Sequence, residues 1–329
     1  MEKLGIKFLM DIIKRGNDMK KIVIIALSII ILNDVYGQGT EKVEPVHEIF
    51  MQFPQVRDFT RSESQNEIYF TIQSPNEEIS AIALLQIKDD ALQPPVIAPF
   101  SGKYKDLEPF LSPDNKRLYF VSNRPVNQKD SLIKNFDIWY VEREELNNDW
   151  SEPINIGLPI NTEHAEFYPS VSANGNLYFT RNSPETVGED DIFLSQWIGN
   201  EYDSPIALSK SINSEGYEFN AYIAPDESYI IFSGYNRKDG FGSGDLYISR
   251  RDEGTWSSAT NLGPDINSSA MDYCPFVDIN SGTLYFTSRR SDVENGDSKD
   301  MTSILTEINK YENGLSRIYK VAFKNLISK

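Results

Sequence analysis

The chain has 329 residues, 40% apolar and 12% aromatic, with 49 Asp+Glu against 32 Lys+Arg and a formal charge of −17. This composition excludes a disordered or collagen-like chain, and the acidic balance argues against a protein that tracks nucleic-acid phosphates. One cysteine, Cys274, excludes a disulfide framework and a thiolate zinc site, and two histidines, His47 and His164, leave little for histidine-based chemistry.

Residues 19–37 begin Met-Lys-Lys, run apolar from Ile22 to Leu32 and end Val35-Tyr36-Gly37. A basic start, an apolar run of 11 residues and a small residue at the end are the parts of a secretory signal peptide. Segment 1–37 is therefore expected to be an upstream extension plus a signal cleaved after Gly37, with Met19 as an alternative start to Met1. The apolar run is shorter than the ~20 residues that span a bilayer, so no stable membrane span is expected after cleavage. The competing readings are a buried core helix or an uncleaved anchor. Segment 1–37 carries six basic and four acidic residues, so cleavage leaves 292 residues (329 − 37) with a charge of −19 (−17 − 2). Export by the Sec route to the periplasm, the outer surface or the medium is the expected destination.

Beyond residue 54 the chain repeats. An aromatic dipeptide closes an apolar run at Tyr69-Phe70, Tyr119-Phe120, Tyr178-Phe179 and Tyr285-Phe286, with Ile231-Phe232 as a variant, at intervals of 50, 59, 53 and 54 residues in chain order. Upstream of each stands an acid: Asp58, Asp106, Glu166, Glu218 and Asp272, which lie 12, 14, 13, 14 and 14 residues before the Phe. Turn residues such as Ser112-Pro113-Asp114-Asn115 and Ala173-Asn174-Gly175 separate the two runs and mark tight hairpins. A third run opens at Asp137, Asp191, Asp245 and, more weakly, Asp300 with Ile304-Leu305. A fourth starts at Trp150, Tyr202 and Trp256 and leads to Ile160-Asn161, Ile212-Asn213 and Ile266-Asn267. The aromatic-to-Asn spacing is 11 and the Asn-to-acid spacing 5 in all three copies.

Four short β-rich runs per ~50 residues make the blade of a β-propeller. A lone blade cannot bury both faces, whereas radial stacking gives every sheet a neighbour. The expected fold is all-β: one propeller of four-stranded antiparallel blades, five at 55–104, 105–163, 164–215, 216–269 and 270–329, with six possible. Segment 38–54, with Val43, Val46, Ile49, Phe50 and Phe53, is expected to supply a closing strand or part of a sixth blade. Gly314-Leu315-Ser316 echoes Gly254-Thr255-Trp256-Ser257, which suggests a complete fifth blade.

The succession of acid, Ser-Pro-Asp-Asn turn, Leu-Tyr-Phe and Asp-Ile-Trp-Tyr resembles the TolB-type, WD-repeat-like propeller of exported bacterial proteins. Its clearest copy is Leu107 to Phe120, and the resemblance covers nearly all of 55–329. It implies an exported propeller of a kind that often serves as a binding platform in the periplasm or at the outer surface. With the symmetric repeat, the signal and no recognisable nucleophile, the expectation is a monomer that binds a protein or glycan of the cell envelope, without cofactor or metal. Relatives fused to peptidoglycan-binding or peptidase domains differ from this chain, which reads as a free-standing propeller.

In the geometry that the resemblance implies, Asp58, Asp106, Glu166, Glu218 and Asp272 ring one mouth of the central channel. They could bind a cation, a basic peptide or a sugar, or else accept hydrogen bonds from the backbone of the interblade linkers. Asp137, Asp191, Asp245 and Asp300 read as turn caps. Arg124, Arg181, Arg237, Arg289 and Arg290 are expected to pair with carboxylates of neighbouring blades, or to face a pocket. The competing function is a carbohydrate-active hydrolase or lyase, because two carboxylates ~5–9.5 Å apart at a channel mouth suit glycoside cleavage; Glu166, Glu218 and Asp272 could supply them. No Gly-x-Ser-x-Gly elbow exists, and Gly242-Ser243-Gly244 reads as a loop. His164 reads as a linker residue, and Ser291 to Asp297 fails the EF-hand pattern at both ends.

Overall fold

Runs that alternate aromatic and β-branched residues pair as strands because each sheet face then meets an apolar neighbour. The computed structural model describes residues 42–323 except 63, 65, 90, 128–134, 185, 295 and 297–299; the extension and signal assigned to 1–37 lie outside the described residues. Five antiparallel sheets form the five blades of a propeller. The first four, from the channel outwards, are Gln55–Ser62, Glu67–Gln73, Ser80–Lys88 and Val96–Ile97; Asp106–Leu111, Arg117–Ser122, Asp137–Glu142 and Ile154–Asn155; Glu166–Val171, Leu177–Arg181, Asp191–Ser195 and Ile206–Ala207; Tyr217–Ile223, Tyr229–Tyr235, Asp245–Asp252 and Thr260–Asn261.

The fifth blade is shared between the two ends of the described chain. Asp272–Asp278, Thr283–Ser288 and Arg317–Ala322 supply three strands, and Glu44–Pro45 pairs antiparallel with Arg317–Ala322 as the fourth. Phe50 follows this strand into the core and meets the Phe70 ring edge-on at 5.0 Å. Between the fifth and first blades, Val56 N donates to Ser316 O (3.0 Å) and Phe59 stacks on Tyr285 at 4.3 Å. Two expectations for this blade are corrected. Asp300 opens a helix, Met301–Ile308, instead of a strand, because its carboxylate caps Thr302 N (2.9 Å) and Ser303 N (3.3 Å). Gly314-Leu315-Ser316 leads into the third strand, not a fourth.

The dipeptide aromatics fill the wedges between blades. Phe70, Phe120, Phe179, Phe232 and Phe286 are fully buried, each worth roughly 1.5–3 kcal/mol of burial. The constant Asn spacing has a mechanical cause. Asn161, Asn213 and Asn267 each accept from the backbone N–H of a third-strand residue (Ile138, Ile192, Leu246) and donate to that residue's carbonyl, so the amide acts as an extra strand residue.

Each inner strand is bulged near its start. Register shifts after Arg57, Leu107, Phe167, Phe219 and Tyr273, and the next residues, Asp58, Glu108, Tyr168, Asn220 and Cys274, take left-handed φ of 56, 59, 47, 51 and 53°. Pro109, Pro169 and Pro275 follow three of them, where a missing N–H costs no ladder bond. These five equivalent positions share one layer of the channel.

Candidate functional site

Four of the five aligned acids form one repeated structure on the face that carries the interblade linkers. Asp106, Glu166, Glu218 and Asp272 are completely buried. Each accepts from the linker just before it: Gly102 N (3.2 Å), Thr162 N (3.2 Å), Ser214 N (2.7 Å) and Ser268 N (2.5 Å), together with the hydroxyls of Ser101, Thr162, Ser214 and Ser268. Each also pairs with an arginine of its own blade, not of a neighbour: Arg124 (2.7 Å), Arg181 (3.1 Å), Arg237 (2.8 Å) and Arg290 (2.9 Å). The same guanidinium groups donate to linker carbonyls at Phe100, Ile160, Ile212 and Ile266 and lie over blade aromatics. Burial pushes the Glu166 and Glu218 carboxyls up, against the opposing hydrogen bonds of Thr162 and Ser214 and the arginine charges. These acids clamp linkers to blades and present no open ring. Arg289 stands apart, reaching Ser316 and Glu77.

Asp58 belongs to another layer. Arg57 pairs with Thr71 as Leu107 pairs with Val121, so Val56, opposite Ile72, occupies the place of the clamp acid and Asp58 that of Glu108. The shorter acid-to-Phe spacing of 12 was the sequence signal for this offset. Asp58 and Glu108 meet across the channel through Arg57; the sequence reasoning singled out neither Arg57 nor Glu108. Arg57 Nε donates to Asp58 Oδ1 (3.1 Å) and Nη2 to Glu108 Oε1 (2.8 Å) and Cys274 Sγ (3.4 Å). The second oxygens accept from backbone: Asp58 Oδ2 from Glu108 N (3.1 Å), Glu108 Oε2 from Tyr168 N (2.7 Å). Burial, seconded by the Asp58 charge and opposed by Arg57, pushes the Glu108 carboxyl up to about 7. Burial likewise pushes the Cys274 thiol up. Phe167, Phe219 and Met271 pack against Tyr168, Tyr273 and Cys274 beside this cluster.

The remaining singled-out residues have local tasks. Asp191 caps Val187 N and Asp245 caps Phe241 N, while Asp137 accepts from Asn155. His47 caps a short 3-10 turn at Ile49 N, and the His164 carbonyl accepts from Asn135. Gly242, in the Gly-Ser-Gly loop, approaches the next linker so closely that a Cβ would stand 2.2 Å from Ala270 O. Among the described residues no group of three or more His, Cys, Asp or Glu is placed to hold a metal ion, and no helix is long and apolar enough to cross a membrane.

The opposite face, built from the turns after the first and third strands, is concave. The channel opens there in a mouth of about 450 Å³ with Arg61, Ser62, Pro113, Tyr222, Pro225 and Asn280 in its wall. Beside it, between the second and third blades, runs a groove of about 820 Å³ that shares Ser112, Pro113 and Val171 with the mouth. Its walls carry Lys116, Arg117, Tyr119 and Glu142 on one side and Gly175, Trp197 and Tyr202 on the other. Arg117 pairs with Glu142 (3.0 Å) and lies over the Tyr140 ring (4.8 Å). Trp197 meets Tyr202 edge to face at 4.9 Å, and its backbone N–H is held by Asn176 Oδ1 (3.0 Å).

No family model and no curated protein matches the chain. Solved structures do. The chain is similar to TolB from Acinetobacter baumannii (13% identity, TM-score 0.44), with 81% of this chain and 54% of that one covered, so it spans about half that protein's length. It is similar to a GH62 hydrolase solved in complex with xylotriose (11% identity, TM-score 0.50), over 88% of this chain and 99% of the other. It is also similar to the GH43 endo-arabinanase from Bacillus licheniformis (14% identity, TM-score 0.48), over 80% and 91%. At such identities the likeness is one of fold, and a fold does not fix a function.

Proposed function

We propose that the protein is an exported binding module without catalysis, which holds a protein or glycan of the cell envelope on the turn face of its propeller. The observation that carries this reading is the state of the channel carboxylates. Both oxygens of Asp58 and both of Glu108 already accept hydrogen bonds from Arg57 or backbone N–H groups. A general acid or nucleophile must instead meet the scissile bond. The clamp acids are likewise buried and bonded to linkers. Concavity, aromatic side chains and partly exposed ion pairs coincide on the turn face, the composition expected of a recognition site. Export rests on the signal pattern of residues 19–37.

The test compares the two faces. Ile279→Asp at the mouth and Trp197→Ala in the groove alter the turn face; Leu158→Asp, 82% exposed, alters the linker face. Retention of the protein on isolated cell envelopes is expected to fall for the first two and to hold for the third. The reverse pattern overturns the reading, as does a parent that releases reducing ends from envelope polysaccharide in a reaction Glu108→Gln abolishes. Mass measurement of the exported chain is expected to start at Gln38.

A further inference from the structure

The interblade gaps differ in one informative way. On the turn face, the first hairpins of the second, third and fourth blades carry Asn115, Gly175 and Glu227 at equivalent positions, three residues after Ser112, Ser172 and Ala224. Between the third and fourth blades, Glu227 reaches back across the gap. Its carboxylate accepts from Ser172 Oγ (3.0 Å), Asn176 Nδ2 (2.7 Å) and the Arg251 guanidinium, and the gap is filled. Between the first and second blades, Arg143 crosses to Glu67 (3.1 Å), and Trp150 Nε1 donates to the Tyr69 hydroxyl (2.8 Å). Between the second and third blades the bridging position is Gly175, which has no side chain, and the place of Arg251 is taken by Gln196. Ser112 corresponds to Ser172 and Lys116 to Asn176. The Ser112 hydroxyl donates to Asp114 Oδ1 (2.6 Å) and Arg117 pairs with Glu142, which leaves Lys116 as the cation of this wall that has no carboxylate partner among the described residues. The groove of about 820 Å³ lies in this gap, with Trp197 packed against Gly175 and the Tyr119 and Tyr202 hydroxyls 3.5 Å apart across it.

We infer that this groove binds a carboxylated saccharide, a glycan containing hexuronate, whose carboxylate takes the place that Glu227 fills in the next gap. The inference rests on the turn-face reading and names its ligand. Lys116 Nζ donates to a carbonyl, that of Glu144 (2.7 Å), so its charge is available to an anion, and ammonium-carboxylate bonds are among the stronger hydrogen bonds. Trp197 and Tyr202 form the wall opposite. Trp197 is held over Gly175, where a Cβ would meet its ring at 3.0 Å, so one rigid apolar face is already in position for the C–H face of a sugar ring. A glycan suits the site better than a peptide main chain does. The groove walls are hairpin turns whose backbone is engaged within the turn, Asn115 N to Ser112 O and Gly175 N to Ser172 O, and they offer no strand edge to extend.

The test is titration calorimetry of the whole chain with trigalacturonate, its methyl ester and tri-glutamate, on the parent, on Lys116→Met, Trp197→Ala and Gly175→Glu, and on the two face variants Ile279→Asp and Leu158→Asp. Trigalacturonate is expected to bind the parent at least tenfold more tightly than the ester or tri-glutamate. Lys116→Met and Trp197→Ala are expected to weaken it at least tenfold with unchanged circular dichroism. Gly175→Glu installs the bridge and is expected to abolish binding. A Cβ at Gly175 also presses on the Trp197 ring (3.0 Å), so this variant reads bridge and ring displacement together, and Lys116→Met and Trp197→Ala carry the test. Equal binding of acid and ester, tighter binding of tri-glutamate, or no binding to the parent overturns the inference. Loss of binding on Ile279→Asp with none on the groove variants also overturns it and leaves turn-face binding standing; loss on Leu158→Asp alone takes both down.

Discussion

Replacing Glu166 by alanine isolates the linker clamp. Glu166 is fully buried, and Arg181 retains 6% exposure of its side chain. The substitution removes the acceptor of Thr162 N, the Thr162 hydroxyl and Arg181 Nε together. Arg181 keeps one described partner, the Ile160 carbonyl at 2.7 Å. Leaving one member of a buried ion pair unmatched costs about 3–5 kcal/mol, and in a domain of this size each kcal/mol lowers the melting point by roughly 2–4 °C. Glu166→Ala is therefore expected to melt roughly 10 °C below the parent. The molecule contains its own control. Glu166 and Arg181 are direct cross-strand partners, and the equivalent pair in the first blade is Val56 and Ile72, both apolar. Glu166→Val with Arg181→Ile copies that pair, removes both charges and is expected to come within ~2 kcal/mol of the parent, because replacing a whole buried pair is often neutral. Calorimetric melting of the parent, Glu166→Ala, Arg181→Ala and the double variant is the assay. A Glu166→Ala protein that melts within 2 °C of the parent refutes the clamp, as does a double variant that loses the sum of the single losses.

Glu108 makes stability depend on pH: its folded pKa of about 7 lies above its unfolded value, so its contribution is full at acid pH and is lost as pH rises through 7, by about 3 kcal/mol at most. Glu108→Gln is expected to flatten the change in melting point between pH 5 and 8, and an unchanged slope refutes the assignment. Phe50→Ala is expected to cost ~3–5 kcal/mol, since Phe50 is 1% exposed and packs beside the closing strand; denaturant unfolding reads this directly. Gly188→Ala places a Cβ 2.0 Å from the Gly216 carbonyl and is expected to cost ~1–3 kcal/mol by parting loop from linker, which melting and amide exchange at Gly216 would report.

The propeller was legible because its signals are local and repeated. Tyr-Phe dipeptides, hairpin turns and the Asn spacing each report a contact made within one blade or with its neighbour. What escaped was register. Asp58 follows the pattern of the clamp acids by type, yet bulge position is set by which residues pair across strands, and Val56 at the clamp position carries no acid to mark it. Glu108 escaped for the same reason, because its partners Arg57 and Tyr168 lie 51 and 60 residues away. The fifth blade misled because its third strand, Arg317–Ala322, is displaced by an inserted helix. The Asp that opens a strand in three blades caps that helix here.

Repetition and its failures divide the molecule by task. On the linker face, four blades use the same acid, hydroxyl and arginine, and each group is bonded to a neighbour; a ligand there would have to displace a buried ion pair, at a cost of several kcal/mol. In the channel, the five bulge residues differ from blade to blade, but Asp58, Glu108 and Cys274 converge on Arg57, so the asymmetry is consumed internally. The turn face differs in kind. The first gap is crossed by Glu67–Arg143 and the third by Glu227 with Ser172 and Asn176, whereas the gap between them is crossed by the Tyr119 and Tyr202 hydroxyls (3.5 Å) and has Gly175 where the fourth blade has its bridging glutamate. Blades two and three therefore lack a carboxylate bridge of the Glu227 kind, and Lys116, bonded among the described residues only to the Glu144 carbonyl, lines the groove with its charge unpaired by a carboxylate. Lys116 lies in the same groove as a fixed tryptophan, so the gap without the glutamate bridge is also where the repeat has most to offer another molecule.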